Sequence, residues 1–95
     1  MESEYWDKAL GLITEQGRKE SLASLFLLLL TLDEREAIGA RLAVFRALLA
    51  GKLTQRQIAA TLNVSIATIT RCSNTLKNLS DAERDRLQSL ILSAP

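Results

Sequence analysis

The 95-residue chain contains no histidine, one cysteine, one proline, four glycines and four aromatic residues. Each scarcity removes a class of explanation. Without histidine there is no Cys/His zinc set and no imidazole for acid–base work. One cysteine, Cys72, cannot close an internal disulfide, which points to a reducing, cytoplasmic setting. There is no Gly-rich phosphate loop and no paired-carboxylate pattern, and the lone Cys lacks a base, so no enzyme, metal or cofactor is expected. The segment MESEYWDKAL is acidic and lacks a basic-then-apolar signal pattern. The run LFLLLL, Leu25 to Leu30, is far shorter than the ~20 residues that span a bilayer, so no membrane partner is expected.

What is present favours helices. Hydrophobic residues make up 47% of the chain, dominated by Ala and Leu, and the single proline is the last residue. The helix starts are marked by capping boxes, TLDE at Thr31–Glu34, TQRQ at Thr54–Gln57 and SDAE at Ser80–Glu83. Ser65 caps without a Glu three residues on, and Gly51 and Asn63 stand where left-handed terminators belong. These marks predict an all-α protein with helices over 3–16, 20–30, 32–50, 55–62, 66–78 and 81–93. Ile38, Leu42, Phe45 and Leu49 recur at helical spacing, as do Leu87, Leu90 and Ile91. The second helix is apolar on nearly every side and needs cover all round. A chain this small buries only about 60–65% of its unfolded surface, so a partner subunit is the expected cover. Residues 1–95 read as one domain, with a dimerisation core from about 1–50 and 80–95 and a helix-turn-helix over 55–78.

Charge is unevenly placed. Gly51 to Ser80 holds Lys52, Arg56, Arg71 and Lys77 and no acid, whereas the rest of the chain holds all eleven carboxylates beside eight basic residues. Within this segment, QRQIAATLNVSIATITR makes a short helix, a tight turn and a second helix. Ile58, Leu62, Val64 and Ile69 fall where two crossing helices need apolar contacts, and Ala59 is small where their backbones meet. A helix-turn-helix puts the start of its second helix on base edges in the major groove. Carboxylates there would face one phosphate charge per roughly 1.7 Å of duplex, which explains their exclusion. The expected DNA-facing residues are Gln55, Arg56, Ser65, Ile66, Ala67, Thr68, Thr70 and Lys77. Threonine hydroxyls meet base or phosphate groups, Ile and Ala meet thymine methyls, and Arg56 reaches a guanine edge or a phosphate. A short helix pair joined by a polar turn, with no such role, shares part of this layout.

The segments LTLDEREAIGAR, LTQRQIA and SIATITRCSNTLK, in this order and spacing, together resemble the tryptophan repressor family of bacteria from about Leu25 to Lys77. The resemblance implies an intertwined all-helical homodimer whose DNA-reading heads are set by bound L-tryptophan, a corepressor rather than a cofactor. It places Arg41 and Arg71 on either side of the indole, with Arg71 also pairing with the ligand carboxylate. Thr31 matches a residue that reaches the ligand from the other subunit, together with the backbone carbonyls of Leu28 and Leu30. Thr75 stands where the family commonly has Ser near the ligand amino group. Three further positions depart from the family. Cys72 replaces a usual Gly beside the indole, Ala59 an often-present Lys facing DNA, and Leu32 a common Pro. The arm that precedes the first helix in some members is expected to be nearly absent.

Overpacking a fitted site costs about 1–3 kcal/mol, so the Cys72 thiol is expected to weaken tryptophan binding unless the pocket adjusts. Arg71 beside it would favour a thiolate, which leaves a redox role open next to that of a small apolar filler. The leading expectation is a repressor of tryptophan-biosynthesis or transport operons. Tryptophan would select the head spacing that fits successive major grooves about 34 Å apart. A family member with another effector or none is the alternative, and a helical protein-interaction module a further one.

Overall fold

The computed structural model describes residues 2–93, and these form six helices: α1 (Glu2–Thr14), α2 (Lys19–Leu29), α3 (Leu32–Ala50), α4 (Gln55–Leu62), α5 (Ile66–Lys77) and α6 (Asp81–Ser93). No strand occurs among the described residues. The chain divides into two compact units, one ending at Arg35 and one beginning at Glu36.

In the first unit, α1 stops earlier than its apolar pattern predicts. Gln16 Nε2 donates to the Leu12 carbonyl at 3.0 Å, so a side chain satisfies an oxygen that a further turn would have used, and Thr14 Oγ1 donates to the Leu10 carbonyl at 2.7 Å. Helix α2 ends at an extended Leu30 whose N–H donates to the Phe26 carbonyl. The next helix is started by a closed capping box. Glu34 N–H donates to Thr31 Oγ1 (3.1 Å), and Thr31 N–H donates to the Glu34 carboxylate (2.8 Å). No residue of α2 is buried. Leu27 is 66% exposed and Leu28 is 85% exposed, so the chain by itself does not provide the all-round cover that this helix calls for.

The second unit holds the core. Val44 of α3, Ile58 of α4, and Ile69 and Cys72 of α5 are buried together, with Phe45, Leu48, Ala59 and Val64 packed against them. Residues 69, 72 and 76 repeat at helical spacing, so one stripe of α5 faces inward. Full burial of such side chains is worth about 1.5–3 kcal/mol each. That is enough to seat two helices as short as α4 and α5, which are marginal alone. Gly51, with φ +69°, ends α3 in the left-handed conformation that glycine adopts without penalty.

Candidate functional site

Helix α4 begins with the closed box expected from sequence. Gln57 N–H donates to Thr54 Oγ1 (3.1 Å), and Thr54 N–H donates to the Gln57 side chain (2.8 Å). It ends at Asn63, whose φ of 55° and ψ of 48° reverse the chain. Val64 N–H then donates to the Ala59 carbonyl at 3.2 Å, closing the turn. Only Asn63, Val64 and Ser65 separate the two helices. Val64 packs on the core, and Ser65 Oγ accepts the Thr68 N–H at 3.1 Å, capping α5. Ile58 and Ile69 are both fully buried, so the helix pair is seated on the core of the second unit.

The register of α5 sorts the expected contact residues. Ile66, Ala67 and Thr70 are exposed on its first turns, with Ile66, a large apolar side chain, 49% exposed. Thr68 is half-buried and its hydroxyl lies 2.9 Å from Ser65 Oγ, so this group is engaged in the cap. Gln55 and Arg56 are exposed on the first turn of α4. Lys77 is exposed too, but at the far end of α5, about 16 Å of helix rise from Ile66, where it complements the negative helix terminus. The first turns of α4 and α5 carry no acid, so two helix N-termini and Arg56 present positive potential without internal neutralisation.

A second group lies on α3 and α5. Arg41 stands one turn before the buried Val44, and Arg71 precedes the buried Cys72. Both guanidiniums lie near enough to the Cys72 thiol for their fields to act on it. Both are exposed, and neither makes a hydrogen bond or ion pair within the described residues. Thr75, one turn beyond Arg71, is exposed and donates its hydroxyl proton to the Arg71 carbonyl at 3.0 Å, which leaves its oxygen as an acceptor. Cys72 is only 4% exposed, and burial pushes its thiol above the ordinary value despite the opposing pull of Arg41 and Arg71. The thiolate that a redox role needs is therefore disfavoured, and the sulfur is an apolar core filler.

Thr31, Leu28 and Leu30 belong to the first unit. Thr31 Oγ1 accepts a hydrogen bond in its own capping box and keeps its proton to donate. Leu28 and Leu30 lie at the C-terminus of α2, where carbonyls run out of helical N–H partners. Sequence reasoning placed Phe45 only in the helical repeat of α3. The structure puts it against the core and, with Thr75, in the wall of an apolar cavity.

These features define a small all-α protein with a tightly packed helix pair whose leading turns exclude acids. Comparison with known proteins supplies the class, a transcriptional repressor, and the particular family. Residues 4–91 match the family described as Trp repressor protein. The chain is 43% identical over 90 residues to a Trp operon repressor homolog of Vibrio cholerae serotype O1, covering 95% of this chain and 87% of that one. It is 45% identical over 92 residues to the homolog of Vibrio parahaemolyticus serotype O3:K6, covering 95% and 89%. The Vibrio campbellii homolog is 44% identical over 92 residues, covering 95% and 92%. The chain belongs to the Trp repressor family, which consists of DNA-binding regulators and not enzymes. No helix among the described residues is long and apolar enough to cross a membrane.

Proposed function

We infer that this repressor acts in the cytoplasm as an intertwined homodimer that binds operator DNA of tryptophan-biosynthesis or transport genes when L-tryptophan is bound. The observation that carries the effector assignment is the pair of guanidiniums, Arg41 and Arg71, from two helices beside one buried thiol, with no partner among the described residues. One guanidinium takes a carboxylate in a bidentate, charge-assisted contact. Two planar guanidiniums also hold an aromatic ring by stacking. An aromatic amino acid supplies both groups in one molecule. Thr75 accepts from its ammonium, and Thr31 with the carbonyls of Leu28 and Leu30 completes the site from the partner subunit. Cys72 forms the wall beside the ring.

In this reading α4 and α5 are a helix-turn-helix. Ile66, Ala67 and Thr70 meet base edges, and the Ser65–Thr68 cap turns the α5 N-terminus toward a phosphate. Gln55, Arg56 and Lys77 position the head on the backbone. Arg71 and Cys72 sit on the same helix as these contacts, so a ligand held there favours one head position. It shifts that equilibrium only by its differential affinity for the two positions.

The test is L-tryptophan titrated into the purified protein by calorimetry, with indole-3-propionate and L-phenylalanine as comparisons and operator binding followed by anisotropy. Micromolar binding selective for tryptophan, with DNA affinity raised by the ligand, is expected. Salt-dependent DNA binding with no heat from tryptophan would sink the corepressor assignment and leave a repressor with another effector or none. The presence of Cys72 where the family usually has Gly favours that second reading.

A further inference from the structure

Among the described residues, four helices start on a Ser or Thr cap, and each cap accepts an N–H at 3.1 Å. The residue that gives this N–H changes along the chain. In α3 and α6 it is a carboxylate, Glu34 and Glu83, whereas in α4 and α5 it is neutral, Gln57 and Thr68. A negative charge in the first turn is the one that the helix dipole favours. Glu34 closes its box onto the Thr31 N–H at 2.8 Å, and Gln57 closes the same box onto the Thr54 N–H at 2.8 Å. The amide therefore gains nothing in the cap that a carboxylate would not. Its neutrality answers to something outside the helix.

The cations divide in the same way. Lys8 pairs with Glu4 and Arg18 with Glu20, each at 3.8 Å, and Arg86 pairs with Glu83 at 2.6 Å. Lys52 and Arg56 have no hydrogen bond or ion pair among the described residues, and no acid occurs from Gly51 to Ser80. The two flank the Thr54 cap, two residues to either side, a span of at most about 14 Å of chain. Every residue from Gly51 to Gln57 is exposed, so both charges lie on open surface and not in a recess that would enclose a small anion. An extended polyanion fits such a layout. DNA offers one phosphate per roughly 3.4 Å of axis on each strand.

We propose that Lys52 is a further DNA-contacting residue, which with Arg56 holds neighbouring phosphates of one strand at the turn between α3 and α4. Gln57, next to Arg56, closes the α4 cap without setting a carboxylate against those phosphates. The proposal rests on the reading of α4 and α5 as a DNA-binding head. A contact of this kind fixes the register and affinity of the head and carries no base sequence.

The experiment uses the full chain in its native assembly, with and without L-tryptophan. The probe is a mixed-sequence DNA duplex of about 30 base pairs, followed by anisotropy over a salt series, because sequence-independent binding rests on phosphates. Lys52→Gln is expected to weaken binding about tenfold at low salt and to flatten the slope of log K against log salt by about 0.9 per protomer in contact. Its urea midpoint is expected to stay that of the wild type, since the residue is exposed. Lys52→Arg is expected to restore affinity and slope, as a merely structural role would not require. Lys8→Gln removes the same charge from a paired cation and is expected to leave the slope unchanged. Gln57→Glu is expected to keep its urea midpoint, as the Glu34 box shows is possible, yet to bind DNA about threefold or more weakly at low salt. An unchanged slope in Lys52→Gln, or a loss of affinity equal at every salt concentration, would overturn the proposal while the DNA-binding reading stood. Wild-type affinity in Gln57→Glu at low salt would also overturn it. A wild-type protein without salt-dependent DNA binding would sink both.

Discussion

Burial and two neighbouring guanidiniums act in opposite directions on the thiol of Cys72, and burial is the larger influence. With the folded pKa above its ordinary value near 9.0, the neutral thiol contributes stability that is complete below that value. The contribution is lost as pH rises through the folded pKa. Urea unfolding of the wild type is therefore expected to lose more stability between pH 7 and alkaline pH than Cys72→Ala does, and parallel curves for the two proteins would refute this. At the same scale, Ile58 and Ile66 separate core from surface. Ile58→Ala opens a void in a fully buried position and is expected to cost about 2–5 kcal/mol. Ile66→Ala removes an exposed side chain and is expected to change stability by no more than about 0.5 kcal/mol. On the proposed function, its effect is expected in operator affinity, and an anisotropy titration of the two variants checks this.

Elements are held by their ends as much as by their faces. Helix α4 has eight residues, too few to persist without both a cap and a core contact. Thr54→Ala removes the reciprocal box with Gln57 and is expected to cost about 0.5–2 kcal/mol in chemical unfolding. Asn63→Ala keeps a β-carbon in left-handed backbone but loses the short polar side chain that eases it, and is expected to cost up to about 1–2 kcal/mol, while Asn63→Gly is expected to be tolerated. These end signals were legible in the sequence, because a cap is a local bargain between residues three apart. Thr31, Thr54, Ser65, Asn63 and Gly51 all do in the structure what their positions predict. Where a long side chain had a choice, local reading was incomplete. Ser80 Oγ does accept from Glu83 N–H, but the Glu83 carboxylate takes Arg86 at 2.6 Å in place of the return half of the box. The convergence of Arg41 and Arg71 on Cys72 was legible only through family resemblance, since it joins residues thirty apart. Phe45 in the wall of the cavity was not legible, because α3, α5 and α6 meet there only after folding.

For the whole molecule, the distribution of apolar surface supports the proposed dimer. Tyr5, Trp6, Leu27, Leu28, Leu32, Ile38 and Leu90 are all exposed, whereas the fully buried core rests on three large side chains, Ile58, Ile69 and Val44. A soluble monomer rarely exposes a contiguous apolar patch larger than a few hundred Å². Covering these side chains by a second copy adds hydrophobic stabilisation of about 25 cal/mol for each Å² removed from water. Stability then becomes a bimolecular quantity, and the unfolding midpoint rises with protein concentration. The expected result is a sedimentation mass twice that of the chain at micromolar concentration, with a Tm that climbs over a hundredfold concentration range. Leu28→Lys places a charge on the most exposed of these leucines. Left in solvent, it would change stability by about 0.5 kcal/mol or less, but a charge buried without a partner costs several times as much. A Leu28→Lys protein with unchanged mass and an unchanged, concentration-independent Tm would show that α2 is not part of a subunit interface. A shift to monomer with loss of tryptophan binding would tie α2 to both the assembly and the effector site, since Arg41 and Arg71 would remain in place while the partner's contribution was gone.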